Sequence, residues 1–575
     1  CLAVRGKSPG KAFFNGWVFG LVLGLSGFSW LKTVMAVHGG LGDLGGALIL
    51  FVLAAFLGLW QGIFGYLVAK TEGLWEEKGA VLRPLLFALF WTGVDWLKSR
   101  AFTGFNWNPP GAALAANPKL IGLADVVGVY GLTFFAAFVN FALAEVLWNI
   151  FRVKFGKKTG GSSGIGSEIP KSLAAAAVSF LIILVYGLWS HAKSEESLRG
   201  ARIERVAALQ ASVGQEYKWD ANFRDMILGR YSELALKAAK TSPFLIIWPE
   251  TSAPFTYGQD VLETLWLRNL VKSAGVPMLA GVTKSETEDG SPKLRNRAWL
   301  FDSDGTEGPW YDKKHLVPFG EYVPGIEYFP ILRAAFLQGV MGAAGNFSSG
   351  KNAPPMVLGD VVFGPLICFE SVFPHLGREQ TENGAGVLVV TTNDAWFGDS
   401  GAPDQHFLLA VGRAVENRRP LVRVANNGLS GLILPSGRVA AKSVLNDVDA
   451  YEYEVPVPTE KKLAIFTRFG YLFAPATGIF AAVSFLFLFF QRKPKSTAGA
   501  FSSRGTKAPR PSKSPKAPKA PNKAPQTPKA PGDPGDPKSK GPKDEKRGAG
   551  GSGSSAYETH GGRGKKKKKG KKGKK

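Results

Sequence analysis

Cysteine is almost missing from this 575-residue chain: there are two, and one of them is residue 1. That count excludes a disulfide framework and a Cys-rich zinc site. A bridge between Cys1 and Cys368 would have to join a membrane-side terminus to a distant domain. Histidine is scarce too, at six residues, and no His/Asp/Glu cluster has ligand spacing, so no metal or cofactor is expected. The chain opens on Cys rather than Met and lacks the short basic, apolar, small-residue pattern of a cleaved signal peptide. A lipidated mature cysteine and an incomplete start both fit that opening. Acidic residues run short above all at the end of the chain. From Gln491 to Lys575 there are 26 Lys/Arg against 5 Asp/Glu, so this tail carries +21 of the formal +25. The basic pI therefore describes the tail and says little about the rest.

The tail, from about Arg492, is Lys-Pro-Ala repeats, then Gly/Ser, then a lysine run. With almost no apolar groups it should be disordered. Its charge suits anionic lipid headgroups beside a membrane or nucleic acid without sequence preference. A solvated tail that fixes topology is the simpler expectation, and no specific nucleic-acid partner is expected.

What the chain does have is long apolar runs. Stretches near 12–37, 42–69, 80–97, 120–150, 172–190 and 468–490 approach or exceed the roughly 20 residues that a spanning helix needs. The third is the least apolar, with Asp95 and two Trp near its end. Basic residues alternate between the loops: Arg5, Lys7 and Lys11 come first, then Lys70, Lys78 and Arg83, then Arg152 to Lys171, then the tail. These four segments fall on one side. If that side is the cytoplasm, residues from about 195 to 465 lie outside. Lys98 and Arg100, in an outer loop, dissent. Gly20-x-x-x-Gly24 in the first span could pack closely on another helix. Gly160-Gly-Ser162-Ser-Gly164 matches G-x-S-x-G, but it sits in a Gly/Ser/Lys linker without the required strand and helix.

Between Arg202 and Lys462 the pattern changes to α/β. Strands are expected at Ile203–Leu209, Leu245–Trp248, Pro277–Val282, Asn296–Phe301, Val361–Cys368, Val387–Thr392 and Leu421–Ala425. Helices are expected at Asp220–Lys240, near 260–274 and at His406–Arg418. Asp302–Gly305 and Pro435–Gly437 read as hairpin turns. Strands alternating with helices, then hairpins, predict layered α/β packing.

Three chemical groups adjoin these strands: Glu250 in Trp248-Pro249-Glu250, Lys313 in Tyr311-Asp-Lys313, and Cys368 in Gly364-Pro-Leu-Ile-Cys-Phe-Glu370. A thiolate is the nucleophile, a carboxylate can accept its proton, and an ammonium can stabilise an oxyanion. Each residue alone has a plainer reading, as inert core cysteine, turn or surface charge. Together they are the parts of covalent acyl transfer.

Pro249-Glu250, Tyr311-x-Lys313-x-His315-Leu316 and Cys368-Phe-Glu370 resemble the three signatures of the nitrilase superfamily of carbon–nitrogen hydrolases. Lys313–Pro324 (KKHLVPFGEYVP) and Thr392–Gly398 (TNDAWFG) are similar to its membrane-embedded branch, the apolipoprotein N-acyltransferases. Lys218-Trp219-Asp220, Gln405-His406-Phe407 and Asn426-Asn427-Gly428 add to the likeness, which spans about 12–490. The resemblance implies an αββα sandwich facing the periplasm from a multi-span bundle in a bacterial inner membrane. It implies that Glu250 is general base, that Lys313 stabilises the oxyanion, and that Cys368 carries a thioester. Glu321 would support Lys313, while Trp219, Phe369, Glu370, Asn393 and Trp396 would support the site or contact substrate. The donor would be a glycerophospholipid, and the acceptor the α-amine of an apolipoprotein's S-diacylglyceryl cysteine. The segment Phe319–Phe347, rich in Phe, Leu, Ile and Tyr, is a candidate apolar cover. Expected boundaries are 1–195 for the bundle, 196–465 for the catalytic domain, 466–491 for the last span and 492–575 for the tail. Phe369 stands where some members have Tyr. The family is expected to have eight spans against six here, which favours an incomplete start lacking the first two. The competing readings are a membrane-anchored amidase that uses water, and a noncatalytic lipid-binding scaffold.

Overall fold

Continuous apolar strands buried on both faces and flanked by amphipathic helices fold here as two sheets packed face to face. The computed structural model describes residues 3–72, 79–155, 165–324, 347–352, 354–459 and 462–490. Cys1, most of the Gly/Ser linker, most of the expected cover and the basic tail lie outside these residues.

The first sheet has the order β13-β1-β2-β4-β5-β6, with β3 also paired to β4. Its strands are β1 (Arg202–Gln210), β2 (Leu245–Ile247), β3 (Thr256–Tyr257), β4 (Met278–Glu288), β5 (Ser291–Phe301), β6 (Glu307–Asp312) and β13 (Asp449–Val457). The second runs β12-β11-β10-β9-β8-β7. It comprises β7 (Met356–Leu358), β8 (Val361–Ile367), β9 (Val387–Thr392), β10 (Leu421–Ala425), β11 (Gly431–Ile433) and β12 (Val439–Lys442). β1, β2 and β4 run parallel to one another, as do β8, β9 and β10, and the strands that flank these trios pair antiparallel with them, apart from β3 on β4. Val206, Leu245, Ile247 and Leu279 meet Phe363, Val387, Val389 and Val424 between the sheets. Helices Arg224–Ala239 and Val261–Ala274 cover the outer face of the first sheet.

Helices Pro374–Glu382 and Ala402–Asn417 cover the second sheet, and their outer faces pack largely on the apolar helices. Leu376, Leu409, Ala410 and Val411 share one buried cluster with Ile121, Leu132, Tyr130 and Ile183 of the apolar helices. This α layer is thus also the floor that rests on the bundle. Among the described residues, four helices, within Gly42–Thr71, Ala124–Phe151, Ile169–Glu196 and Gly470–Phe490, are long and apolar enough to cross a membrane. Pro9–Gly27 and Trp30–His38 make a fifth if they count as one span, bent by 63°. The stretch expected near 80–97 is a helix, Gly79–Lys98, but Arg83, Asp95 and Lys98 leave it below that apolarity. It nonetheless packs through Phe87, Phe90 and Val94 among the others.

Small residues and polar caps shape the bundle. A Cβ at Gly20 would lie 2.7 Å from Gly58 Cα, so these two helices touch backbone to backbone, as the G-x-x-x-G reading anticipates. Helix Ala124–Phe155 breaks at Gly128, where φ is 68°. The break frees the Val129 amide, and Glu416 of the sandwich accepts it at 2.9 Å. Asp125 beside it receives Arg418 at 2.5 Å, Ser190 at 2.8 Å and Tyr186 at 3.0 Å. The domain is therefore fastened to the bundle at a helix discontinuity by buried polar groups.

Candidate active site

Four strand ends converge. β2 delivers Trp248-Pro249-Glu250, β6 delivers Lys313, β8 delivers Cys368, and β9 delivers Asn393 and Asp394. After β2 the chain must turn at once, because Gly281 of β4 lies directly beneath it. A Cβ there would be 2.1 Å from Pro249 O and 2.7 Å from Thr251 N. Only glycine seats the turn that way. Thr251 has φ 42°, so the turn is held in a conformation that costs a non-glycine residue about 1 kcal/mol or more.

Glu250 is buried and receives three donors. Lys313 Nζ donates to Oε1 at 2.9 Å, Asn296 Nδ2 to Oε1 at 2.8 Å, and the Asn393 amide to Oε2 at 3.0 Å. Lys313 Nζ also donates to Glu321 Oε1 at 2.9 Å. Glu321 is in turn fixed by Asn296 Nδ2 at 3.1 Å and by the Val317 amide at 2.8 Å. The ammonium thus lies between two carboxylates. Burial works against its charge, but Glu250 and then Glu321 outweigh that and hold its pKa well above the ordinary lysine value. Burial likewise opposes the charge on Glu250, and Lys313 overcomes it, so the carboxyl titrates below its usual range.

Cys368 follows β8 with φ 53°, at the head of the short 3-10 turn Cys368–Val372. The expected strand therefore ends one residue early, because Cys368 in the left-handed region cannot continue it. Burial pushes the thiol upward first, Glu250's charge adds to this, and Lys313 opposes it. At neutral pH the resting set is carboxylate, ammonium and thiol. Of the charges acting on that thiol, that of Glu250 weighs most.

Glu370 is wholly buried and clamps two segments together. Its Oε1 accepts the Tyr311 hydroxyl at 2.8 Å and the Lys314 and His315 amides at 2.7 and 3.0 Å. Its Oε2 accepts the Ile367 amide at 2.7 Å. The lysine loop and the nucleophile turn are therefore both tied to one carboxyl, which burial pushes up to about 7. Phe369 packs against Phe373, His315 and Trp107 at 5.0, 5.6 and 6.3 Å, so the site's floor is shared with a bundle loop.

Asn393 is both an N-cap and a scaffold. Besides its amide on Glu250, its Oδ1 accepts Asn426 Nδ2 at 2.9 Å, and its Nδ2 reaches Gln215 at 2.7 Å. Trp396 is half-buried and stacks edge-on against His38 at 5.3 Å, where helix Trp30–His38 meets the domain. Trp219 is half-buried in the turn 215–219. Of the candidate cover, Phe347 donates its amide to Glu321 O at 2.9 Å, and residues 325–346 lie outside the described residues.

Sequence reasoning passed over some residues. Lys218, noted only as part of a string beside Trp219, is buried with Nζ 2.5 Å from Thr251 Oγ1 and 3.3 Å from Glu250 O. Burial lowers its pKa to about 8, against the pull of Glu250 and Cys368. Asn296 carries no signal beyond a polar start to an apolar run. Arg423 does carry one: an arginine at the centre of Leu421-Val-Arg-Val-Ala425 requires a buried partner, and Asp394 supplies it at 2.7 Å.

This fold and the convergence of an acid, an amine and a thiol at its strand ends define a carbon–nitrogen hydrolase domain, and the Carbon-nitrogen hydrolase signature matches residues 205–447. The signature described as the Apolipoprotein N-acyltransferase N-terminal domain matches residues 1–142. An apolipoprotein N-acyltransferase of Geobacter metallireducens is 33% identical over 484 residues, covering 84% of this chain and 88% of that protein. One of Brucella melitensis is 33% identical over 455 residues, covering 77% and 80%. Among solved structures, an amidase from Nesterenkonia sp. is 19% identical with a TM-score of 0.33, covering 47% of this chain and 94% of its own. The chain belongs to the apolipoprotein N-acyltransferase family.

Proposed function

We propose that this protein N-acylates lipoproteins in the bacterial inner membrane, using Glu250, Lys313 and Cys368 for two successive acyl transfers. Its catalytic domain faces the periplasm from a bundle over 1–195 and a last span over 466–491. The observation that carries the reading is Lys313 Nζ held 2.9 Å from both Glu250 and Glu321, with Cys368 coupled to the same charges on a strained turn.

In the first transfer Glu250 takes the Cys368 proton as sulfur attacks a phospholipid ester carbonyl. The S–C bond forms, and the Lys313 ammonium faces the oxyanion that develops. The C–O bond then breaks, and the lysophospholipid oxygen leaves with the proton from Glu250. In the second transfer the lipoprotein α-amine attacks the thioester. Its proton passes to Glu250, the N–C bond forms, the C–S bond breaks, and the sulfur regains a proton. Glu321 and Asn296 keep base and ammonium in register throughout. Both substrates are lipids, and the floor around Phe369 and Trp107 is continuous with the bundle, which suits delivery from the bilayer.

Mass spectrometry of purified protein incubated with phospholipid is the test. An acyl adduct on Cys368, discharged when a diacylglyceryl peptide with a free amine is added, is the expected result. Absence of the adduct, or an adduct that only water discharges, overturns the proposal.

A further inference from the structure

The turn Cys368–Val372 lies over the joint with the bundle, and its last two carbonyls are met by side chains held from below. Pro374 has no N–H to close the turn back onto Ser371, and Arg413 Nη1 donates to the Ser371 carbonyl instead, at 3.2 Å. The chain then leaves the turn extended at Phe373, with φ −100° and ψ 114°, and Asn106 Nδ2 donates to the Val372 carbonyl at 2.6 Å. A carbonyl only accepts, so this contact fixes which end of the Asn106 amide faces Val372. Its Oδ1 is left to accept the Tyr130 hydroxyl, at 2.8 Å. Arg413 Nε is held by Glu416 Oε2 at 2.7 Å, and Glu416 Oε1 takes the Val129 amide at 2.9 Å. All four side chains are buried.

Two arms thus join adjacent residues of a spanning helix to adjacent residues of the nucleophile turn. Val129 and Tyr130 are the first residues beyond the break at Gly128. The loop that carries Asn106 is seated at the same place. A Cβ at Gly111 would lie 2.2 Å from Val129 O, and the Gly111 amide donates to Thr133 Oγ1 at 3.0 Å. Beside the arms lies a small cavity lined by Val129, Val372, Leu409 and Arg413, so apolar packing alone does not set the spacing of the two surfaces. At its other end the turn is held by Glu370, through the Ile367 amide and the lysine loop. Within the turn, the Ser371 hydroxyl donates to the Cys368 carbonyl at 2.8 Å, which passes any shift at Ser371 to Cys368. Cys368 sits at φ 53°, and a residue so strained keeps its conformation only when its surroundings hold it. Loss of the lower anchor would let the thiol swing out of line with Glu250 and Lys313, and misplacement by about 1 Å costs about 10²-fold.

We infer that Tyr130 with Asn106, and Glu416 with Arg413, form a two-armed strut through which the broken spanning helix positions the nucleophile turn. None of the four touches the reacting atoms; they act through the Ser371 and Val372 carbonyls. The inference rests on acyl transfer at Cys368, but not on the identity of the acyl donor.

4-Nitrophenyl acetate tests the strut, because acylation of the thiol releases a burst of nitrophenolate. The burst amplitude counts competent thiols, and its limiting rate reports the chemical step. Both are measured on the full chain in detergent, with Cys368→Ala giving the background. Tyr130→Phe removes one hydroxyl and keeps the ring. It should lower the limiting rate about 3- to 10-fold, the worth of one buried hydrogen bond, with amplitude and half-saturating ester concentration unchanged. Arg413→Lys keeps a cation beside Glu416 but cannot serve both partners as the fork does, and should slow the burst to a similar degree. Asn106→Leu removes the first arm outright. Tyr130 acts only through Asn106, so adding Tyr130→Phe to Asn106→Leu should cost nothing more. Arg418→Ala loosens the same joint without a bond to the turn and should leave the rate within about two-fold of the parent. Tyr130→Phe and Arg413→Lys decide the matter if Asn106→Leu does not fold. A lower amplitude at the parent rate, parent-like kinetics in both single-arm variants, an additive loss in the double variant, or equal slowing in Arg418→Ala overturns the strut. Incubation of the parent with phosphatidylethanolamine vesicles runs alongside. A parent that accepts acetyl but never a phospholipid acyl chain refutes the donor assignment and leaves the burst rates to judge the strut. A parent that accepts neither refutes acyl transfer at Cys368, and the strut with it.

Discussion

Lys313 is held by opposite charges on both sides, and that has a kinetic consequence. An ammonium already paired to Glu250 and Glu321 gains most when a third negative charge, the oxyanion, appears beside it. Its contribution should therefore show in the chemical step and not in lipid affinity. Glu250→Gln keeps shape and loses the base; Lys313→Met keeps length and loses the cation. Each should slow single-turnover acylation of Cys368 by at least about 10²-fold, with phospholipid binding nearly unchanged. Rates measured by quenched-flow mass spectrometry check this, and parent-like acylation in either variant would remove that residue from its role. Lys218 adds a pH signature. With its pKa lowered to about 8, it is charged at neutrality and loses its proton as pH rises through that value. That removes a cation favouring both the Glu250 carboxylate and the Cys368 thiolate, so the acylation rate should fall on the alkaline side near pH 8. Lys218→Met should be slower at pH 7 and lack this limb. The same shift sets a stability slope. Below pH 8 folded and unfolded chains both hold this proton. Between 8 and the ordinary 10.5 only the unfolded chain does, so this group's contribution to stability rises with pH there. Glu250, Lys313 and Cys368 were legible as candidates because motif strings carried them. Lys218 and Asn296 were not, because their significance lies in what burial brings against them.

At the scale of elements, legibility followed burial. β8, β9 and β10 are buried on both faces, read as apolar runs but for Arg423 in β10, and appear within a residue of expectation. β4 and β5 were expected at about half their length. Beyond Val282 and before Asn296 they leave the core as a polar hairpin, pairing as far as Glu288 with Ser291 across the Asp289-Gly290 turn. Backbone pairing carries that extension, and no apolar pattern announces it. β13 was not expected at all. It alternates Glu with Tyr and Val and pairs with β1 at a sheet edge, where one face stays wet. Element ends also carry the joint to the bundle. Arg418 follows helix Ala402–Asn417 in the left-handed region and reaches Asp125 at the break in helix Ala124–Phe155. Removing one partner of a buried pair leaves the other charge uncompensated. Arg418 is partly exposed, so Arg418→Ala should cost about 2 kcal/mol, below the 3–5 of a fully buried pair. A lower unfolding temperature in detergent checks this. An unchanged midpoint would mean that Tyr186 and Ser190 alone satisfy Asp125.

For the whole molecule, the open question is which side of the membrane the sandwich faces, and charge decides it. If the bent pair and Gly79–Lys98 each cross once beside the four long helices, then Arg5, Lys7 and Lys11, the chain after Thr71, the chain after Phe155 and the chain after Phe490 share one side. Cytoplasmic loops carry the Lys/Arg excess. Of the basic residues in the outer loop, Lys98 donates to Asp95 at 2.6 Å, so its charge is balanced within the helix. Arg100 and Lys119 then oppose the rule, against Arg492, Lys493 and Lys495 directly after the last helix. The sandwich should therefore face the periplasm, the side on which a lipoprotein presents its processed amino terminus. Ser303, exposed in the β5–β6 turn, offers a conservative reporter. In a Cys368→Ala background, Ser303→Cys should react with a membrane-impermeant maleimide in intact spheroplasts. Ser502→Cys in the tail should react only after lysis. The reverse pattern would turn the molecule over and remove the lipoprotein amine from reach of Cys368. Protection of both sites until lysis would likewise place the sandwich in the cytoplasm, with the tail beside it, and would require an odd number of crossings to be recounted as even between Gln491 and the domain.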